Sequence, residues 1–188
     1  MSYIGDIAAY APQNEQENTD KAQILSFAAL HAGDVLTREN RTAHITSSGF
    51  IVNDACDKVL LAHHNIRGVW AWTGGHADGD EDLLAVALRE AAEETGATHI
   101  RPLKKEIASL DILPVFGHVR RGAYVSAHLH LSVSYLLVCG EADALSPREG
   151  ENTAVQWFPF SYFTPEHFDD GDVYLYNKLI GRARAARG

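Results

Sequence analysis

Residues 75–97 read GHADGDEDLLAVALREAAEETGA, a glycine-rich segment followed by a predicted helix that is dense in carboxylates. Acidic residues at 80–82 suit the positive N-terminal end of a helix dipole, and Gly96 is typical of the residue that ends a helix. Apolar residues between them recur at helical spacing, which predicts one face that packs inward. These apolar residues are Leu84, Ala87, Leu88 and Ala91.

Three glutamates of the predicted helix form a second, charged face. Glu90, Glu93 and Glu94 lie at i, i+3 and i+4, so their carboxylates point in one direction. Like charges at this spacing repel by about 0.2–0.5 kcal/mol, whereas a bound divalent cation would make the arrangement favourable. Because all the ligands are oxygens, we expect a hard ion, Mg²⁺ first and Mn²⁺ second. A solvated acidic helix is the alternative, but it leaves the flanking glycines unexplained.

The spacing of charged residues and glycines in this segment resembles the Nudix box of the Nudix hydrolase family. The matching residues are Gly75, Glu81, Arg89, Glu90, Glu93, Glu94 and Gly96. The resemblance implies that Glu90, Glu93 and Glu94 bind the metal ion, together with the backbone carbonyl of Gly74. It also implies that Glu93 and Glu94 are catalytic, with Arg89 orienting the glutamates. A simple salt bridge from Arg89 to Glu93 is the alternative.

The segment departs from the family pattern only at uncharged positions. Thr73 stands where the family usually has a proline, and Ala91 and Ala97 replace larger aliphatic residues. We expect Gly74 and Gly75 to bend the chain sharply before the helix. All charged positions are kept, so the expected chemistry is intact.

Length and composition predict one compact domain. The chain has 188 residues, of which 46% are hydrophobic, and a net charge of −9 that would repel nucleic acid. Cys56 and Cys139 have no metal-ligand spacing and fit a reducing compartment. No segment approaches the roughly 18 apolar residues of a membrane span. We therefore expect a cytoplasmic protein with a small-molecule diphosphate substrate and no nucleic-acid or membrane partner. A homodimer is left open.

The N-terminal part of the chain is predicted to be an arm and a helix, followed by a hairpin. Residues 1–18 lack periodicity and are expected to be loose or to form an arm, whereas 20–32 follow helical spacing with Gly33 as the stop. Two β-branched segments, 44–53 and 58–63, are separated by a turn-prone sequence and predict a β-hairpin.

The remaining segments predict more sheet and a closing helix. Residues 64–68 form the predicted loop before the box, and 107–116, 123–138 and 155–160 are predicted strands. Asp172 is expected to cap the closing helix. Its predicted apolar face contains Tyr176, Leu179 and Ile180.

The resemblance implies an α/β fold, the α/β/α sandwich with a mixed sheet of the Nudix fold, plus an N-terminal helix. It covers residues 43–163. We expect an N-terminal arm and helix over 1–42 and a Nudix hydrolase domain over 43–188.

Two histidines on one face of a predicted strand, His128 and His130, have ligand-like spacing. Metal binding, substrate binding and ordinary packing are all open for them, but no cysteine or third histidine at a clear spacing completes a metal site. A subset of bacterial Nudix proteins looks similar, with the glycine pair followed by His76 and a later His-x-His strand.

An aromatic residue and two acids are further candidates. Trp70 is expected to bind substrate by stacking, with core packing as the alternative. Glu149 and Glu151 lie in an irregular segment where Nudix enzymes often place an additional metal-binding or general-base carboxylate. A solvated loop acid is the alternative.

These observations predict a Mg²⁺-dependent hydrolase that cleaves a diphosphate linkage in a nucleoside diphosphate derivative. The alternative is a Nudix-like module that senses a ligand without cleaving it, although such modules often lose the glutamates that are kept here. An isopentenyl diphosphate isomerase-like enzyme shares the fold, but its motifs are absent around Cys56 and Cys139. Pro114 lies one position later than the proline of ADP-ribose hydrolases, so the sequence identifies no substrate.

Overall fold

The computed structural model describes residues 2–65, 68–120 and 122–187, and it contains four α-helices and ten strands within those ranges. The helices are α1 Tyr3–Ala9, α2 Glu15–Leu30, α3 Leu83–Thr95 and α4 Asp170–Arg187, with a short 3-10 helix at Phe160–Tyr162. The first six strands are β1 Ala43–Asn53, β2 Lys58–His64, β3 Val69–Ala71, β4 Thr73–His76, β5 Arg101–Pro102 and β6 Ser109–Val115. The others are β7 His118–Arg120, β8 Ala123–Val125, β9 His128–Cys139 and β10 Asn152–Pro159.

The main sheet is mixed, with eight strands. Its order is β10-β2-β1-β9-β5, with β3 beside β2, β4 beside β1 and β6 beside β9. The central strands β1 and β9 run parallel over eleven residue pairs, and the other pairings are antiparallel. Strands β7 and β8 form a separate hairpin.

Helices cover both faces of this sheet. Alternate residues of a strand point to opposite faces, so Ile45 and Phe50 of β1 lie in different cores. Ile45 packs in the core beneath α1, α2 and α3. Phe50 packs beneath α4, together with Tyr176, Leu179 and Ile180 of the predicted apolar face. The predicted α/β/α sandwich with a mixed sheet and an N-terminal helix is confirmed. None of the helices described is long and apolar enough to cross a membrane.

The predicted hairpin and acidic helix are also confirmed. Strands β1 and β2 pair antiparallel, with Val52 opposite Val59. In α3, the side chain of Asp82 accepts the N–H of Ala85 at 3.0 Å, and Gly96 ends the helix in the left-handed conformation at φ 70°. Both ends thus have the local chemistry expected of helix caps.

The N-terminal prediction is wrong in part, because residues 2–18 are not a loose segment. They include α1, and α2 begins at Glu15 because the Asn14 side chain accepts the N–H of Glu17 at 2.9 Å. Helix α2 ends at Leu30, before the predicted stop at Gly33. Ile7 of α1 is fully buried in the same core as the sheet. The domain division at residue 42 stays a prediction.

The start of α4 differs from the prediction, and part of the predicted loop before the box is not described. Helix α4 begins at Asp170 rather than at Asp172, because the Asp169 side chain accepts the N–H of Asp172 at 2.9 Å and occupies the capping role. Part of the predicted loop 64–68, residues 66–67, lies outside the described residues.

A buried cluster of ions joins α2 to α4. The carboxylate of Glu17 has no exposed surface, accepts the Tyr10 hydroxyl at 2.8 Å and pairs with Arg182. Lys178 of α4 lies 3.5 Å from Glu17 and pairs with Asp111 of β6. Burial alone raises the pKa of Glu17, but hydrogen bonds from Arg182, the Gln13 backbone and Tyr10 overcome it and hold the pKa at about 2. Glu17 is therefore charged at neutral pH.

Candidate active site

Helix α3 presses its glutamates against β4. Ala87 and Ala91 are fully buried on the sheet side of the helix, which turns the glutamate face towards the edge of β4. A Cβ atom at Gly75 would lie 2.4 Å from the carboxyl carbon of Glu90, so only glycine leaves room for this side chain. The N–H of Gly74 donates to Oε1 of Glu94 at 3.1 Å. The two glycines thus bring the strand backbone into contact with the carboxylates.

The predicted sharp bend at Gly74 and Gly75 is wrong. Both residues lie in β4 and pair with Ser48 and Ser47 of β1 as ordinary strand residues. The chain turns afterwards, at Asp78 and Gly79, which have positive φ angles of 48° and 94°. The glycine pair is required for close packing against Ser48 and Glu90 rather than for a turn.

The electrostatics of these glutamates favour a cation. Burial raises the pKa of Glu94 to about 7, with smaller contributions from the charges of Glu90 and Glu151, while the N–H of Gly74 opposes the rise. Burial and the neighbouring charge of Glu93 also raise the pKa of Glu90. The carboxylates therefore repel one another, and a positive charge among them would relieve the repulsion.

Arg148 supplies such a charge in the structure. Its Nη1 lies 2.9 Å from Glu93, 3.2 Å from Glu151 and 3.6 Å from Glu90. The loop before β10 thereby brings Glu151 to the box glutamates, whereas Glu149 is exposed and is not among the ion-pair partners of Arg148 in the part of the chain described. Sequence analysis missed Arg148, whose one signal was its place beside the two candidate loop acids. The donor set of carboxylates suits an oxygen-ligated cation that replaces this guanidinium.

Arg89 contacts the cluster from its other side. Its guanidinium lies 3.4 Å from Asp80 and 3.8 Å from Glu90. Over the described residues, its ion pairs do not include Glu93, which was the alternative partner. The contact with Glu90 is compatible with an orienting role, and that role stays a prediction.

Four histidines gather on the opposite face of the sheet. Because Gly75 faces Glu90, the next residue of β4, His76, projects to the other face. There the ring centroid of His44, from β1, lies 4.9 Å from His76, 5.0 Å from His128 and 5.2 Å from His130. The expectation that no third histidine joins His128 and His130 is wrong, because the parallel register of β1 and β9 sets His44 directly beside His130.

His44 is the most buried member of this group. Its Nδ1 lies 2.9 Å from the carbonyl oxygen of Asn40, and burial lowers the pKa of its imidazole. One ring nitrogen from each of His44, His76 and His130 lies within 4.8 Å of the other two. This is the one such set of three potential metal-binding residues among the described residues. Sequence analysis missed His44, whose place beside the His-x-His strand depends on strand pairing across the chain.

Trp70 is packed as an aromatic core residue. Its ring makes edge contacts with Phe158 at 4.9 Å and His63 at 5.1 Å between centroids, and its carbonyl accepts the Tyr176 hydroxyl at 3.5 Å. Its predicted contact with substrate stays a prediction, as does that of His128 and His130.

Comparisons with known proteins find solved structures with a similar fold. A hydrolase of the NUDIX family from Clostridium perfringens has 24% identity and a TM-score of 0.50, with 73% of this chain and 96% of that chain covered. An Ap4A hydrolase from C. elegans has 16% identity and a TM-score of 0.56, with coverages of 75% and 98%. A MutT protein from Methanosarcina mazei Go1 has 18% identity and a TM-score of 0.56, with coverages of 79% and 99%.

At these identities the solved structures show a common fold. The comparison with curated proteins finds no match. The family model described as the NUDIX domain matches residues 43–179, which is most of the chain and includes the box glutamates, Arg148 and β10. The chain therefore belongs to the Nudix family of hydrolases.

Proposed function

We propose that the protein is a Mg²⁺-dependent or Mn²⁺-dependent pyrophosphohydrolase that cleaves a diphosphate linkage in a nucleoside diphosphate derivative. The observation that carries this proposal is the packing of Glu90 and Glu94 against a glycine strand, with Glu93 and Glu90 sharing one cationic partner. Burial and mutual repulsion raise the pKa values of Glu90 and Glu94, and such carboxylates would not stabilise a helix with a purely structural role.

Each residue of the candidate active site would have a distinct role in the reaction. Glu90, Glu93, Glu94 and the Gly74 carbonyl would hold the cation. When bound, the cation neutralises phosphate charge and lowers the pKa of a water molecule. The N–H of Gly74 orients Glu94 through the 3.1 Å hydrogen bond, and Arg89 positions Glu90.

A proton acceptor is also required. Glu93 is more exposed than Glu90, and Glu151 shares the guanidinium of Arg148 with Glu93, which supports both carboxylates as candidates for the base. Of the two loop acids, the contact with Arg148 favours Glu151 over Glu149. We assign the proton from the attacking water to Glu93 or Glu151.

The net charge of the chain bears on how an anionic substrate would bind. With a net charge of −9, the protein would repel a diphosphate unless a cation stood between them. The similar structures include an Ap4A hydrolase and an ADP-ribose pyrophosphatase, so proteins with this fold differ in substrate. We propose a cytoplasmic enzyme, in keeping with the free thiols of Cys56 and Cys139.

A panel assay tests the proposal. Nucleoside diphosphate derivatives are incubated with the protein and Mg²⁺, and monophosphate products are detected as phosphate after coupling to a phosphatase. We expect turnover of at least one compound, its loss in EDTA and its return with Mg²⁺ or Mn²⁺. Full activity in EDTA would contradict the proposal. Tight binding with Mg²⁺ of a compound that stays intact for hours would instead support a ligand-sensing module.

A further inference from the structure

The histidine group of β1, β4 and β9 lies away from the glutamates. Strand alternation puts Ile45 and Leu131 in the core beneath α3, so His44 and His130, their neighbours in sequence, face the other way. The sheet thus separates these imidazoles from the carboxylates on α3. Any ligand of the histidine group is distinct from the cation of the proposed hydrolase.

The orientation of His44 presents a nitrogen lone pair. A carbonyl oxygen only accepts hydrogen bonds, so the contact with Asn40 places the ring proton on Nδ1 and leaves Nε2 as the basic atom. Nε2 of His44 is buried and has no hydrogen-bond partner among the residues that the structure describes. A buried polar atom left in this state costs about 1–3 kcal/mol, and a bound cation is one way of satisfying it.

We propose that His44, His76 and His130 bind a divalent cation that prefers imidazole ligands, with Zn²⁺ as the representative ion. Their ligand atoms lie within 4.8 Å of one another. A tetrahedral zinc ion with Zn–N bonds of 2.0–2.1 Å needs nitrogens about 3.4 Å apart, so no pair of nitrogens has to close by more than about 1.4 Å. Rotations about χ1 and χ2 of partly exposed His76 and His130 supply movements of this size.

The fourth ligand of such a site has two candidates. His128 stacks on His44 with 5.0 Å between centroids, and its Nδ1 lies 2.9 Å from the carbonyl oxygen of Ser126. Its Nε2 is therefore a second oriented lone pair at the edge of the group. A water molecule is the other candidate for the fourth ligand. The hydrogen bond from His44 to Asn40 is of the kind that typically orients metal-binding histidines in proteins.

Ordinary packing of neutral imidazoles is the competing explanation for this group. Stacked rings explain the centroid distances, but they do not satisfy Nε2 of His44. Cation binding would satisfy this atom. One ion would also join three separate strands near the start of β1.

Zinc titration of the protein tests the inference. The protein is stripped with EDTA, dialysed into millimolar Mg²⁺ to occupy oxygen ligands, and titrated with Zn²⁺ by calorimetry in a chelator-buffered solution. We expect one Zn²⁺ per chain, and at least tenfold weaker binding in His76→Gln and in His130→Gln. The control His31→Gln removes a half-exposed histidine at the end of α2 and should bind as wild type does.

Two further measurements test the geometry of the zinc site and separate it from the proposed hydrolase site. Co²⁺ in place of Zn²⁺ should give the intense visible absorption of a tetrahedral, nitrogen-ligated ion in wild type. Glu94→Gln should keep this absorption while losing hydrolysis, which separates failure of the zinc site from failure of the proposed function. Absence of zinc binding in wild type, unchanged affinity in both histidine variants, or a weak octahedral cobalt spectrum would overturn the inference.

Discussion

Replacing Glu17 with glutamine removes the carboxylate at the centre of the buried ion cluster while keeping the size of the side chain. In wild type this carboxylate has no exposed surface and neutralises Arg182, with Lys178 3.5 Å away. Glutamine leaves the guanidinium and the ammonium with Asp111 as the remaining carboxylate of the cluster. We therefore expect Glu17→Gln to lower the free energy of unfolding.

The size of the loss can be derived in two ways. The pKa of Glu17 lies at about 2 rather than 4.5, and a difference of this size corresponds to about 3 kcal/mol at neutral pH. Breaking a buried ion pair by removing one partner costs about 3–5 kcal/mol. For a chain of 188 residues each kcal/mol lowers Tm by about 2–4 °C, so we expect a fall of about 6–20 °C.

Thermal and urea unfolding followed by circular dichroism measure this loss. The matched control is Glu15→Gln, which removes an exposed carboxylate from the same helix and should change stability by less than about 0.5 kcal/mol. If Glu17→Gln lost less than about 1 kcal/mol, or behaved as Glu15→Gln does, the assignment of a stabilising buried charge would be refuted.

The effect of Glu17→Gln should also depend on pH. Because the pKa of Glu17 is lower in the folded state than 4.5, the unfolded state binds more protons between these values. The stabilisation is complete above about pH 4.5 and is lost as the pH falls towards 2. The Tm difference between wild type and Glu17→Gln should therefore be largest near neutral pH and shrink in acid. A difference that grows in acid would contradict this sign.

Three predictions concern the candidate active site. Glu94→Gln should lower kcat by about a hundredfold, or about 3 kcal/mol in the barrier, with an unchanged circular dichroism spectrum because the amide oxygen still accepts the Gly74 N–H. Gly75→Ala should lower kcat/KM at least tenfold, since the new methyl group would displace Glu90, whereas Gly33→Ala, where a Cβ meets nothing within 4 Å, should have no effect. Glu93→Gln should bind the cognate diphosphate within about tenfold of wild type, about 1.4 kcal/mol, and fail to cleave it. Calorimetry with product analysis checks this, and retained cleavage would remove Glu93 from the proposed mechanism.

The acidic helix and the first hairpin were predictable because their determinants are local. The cap residues Asp82 and Gly96 lie at the ends of α3, and the three glutamates share a face through helical spacing alone. The mixed sheet came from the resemblance, since periodicity does not determine strand order. The N-terminal helix α1 was missed because it has seven residues and derives its stability from burial of Tyr3 and Ile7.

The unpredicted parts of the candidate sites depend on contacts between distant residues. Arg148 reaches Glu93 from a loop that follows β9, and His44 meets His130 through the parallel register of two central strands. Neither contact can be recognised from the spacing of residues along the sequence. The burial of Glu17 is of the same kind, because an acidic residue near the start of a helix looks solvated until Arg182 is brought to it.

The ion cluster has a consequence for protein synthesis. Glu17 and Arg182 are 165 residues apart, so a ribosome completes α2 long before the partner of its carboxylate exists. Until α4 is made, docking of α2 on β6 would bury a negative charge without its guanidinium, a state that costs several kcal/mol. Domains usually fold from the N-terminus as the chain emerges. Here α1 and α2 are synthesised before α4 but need Arg182 for docking, so a nascent chain that stalls before Arg182 keeps these two helices undocked.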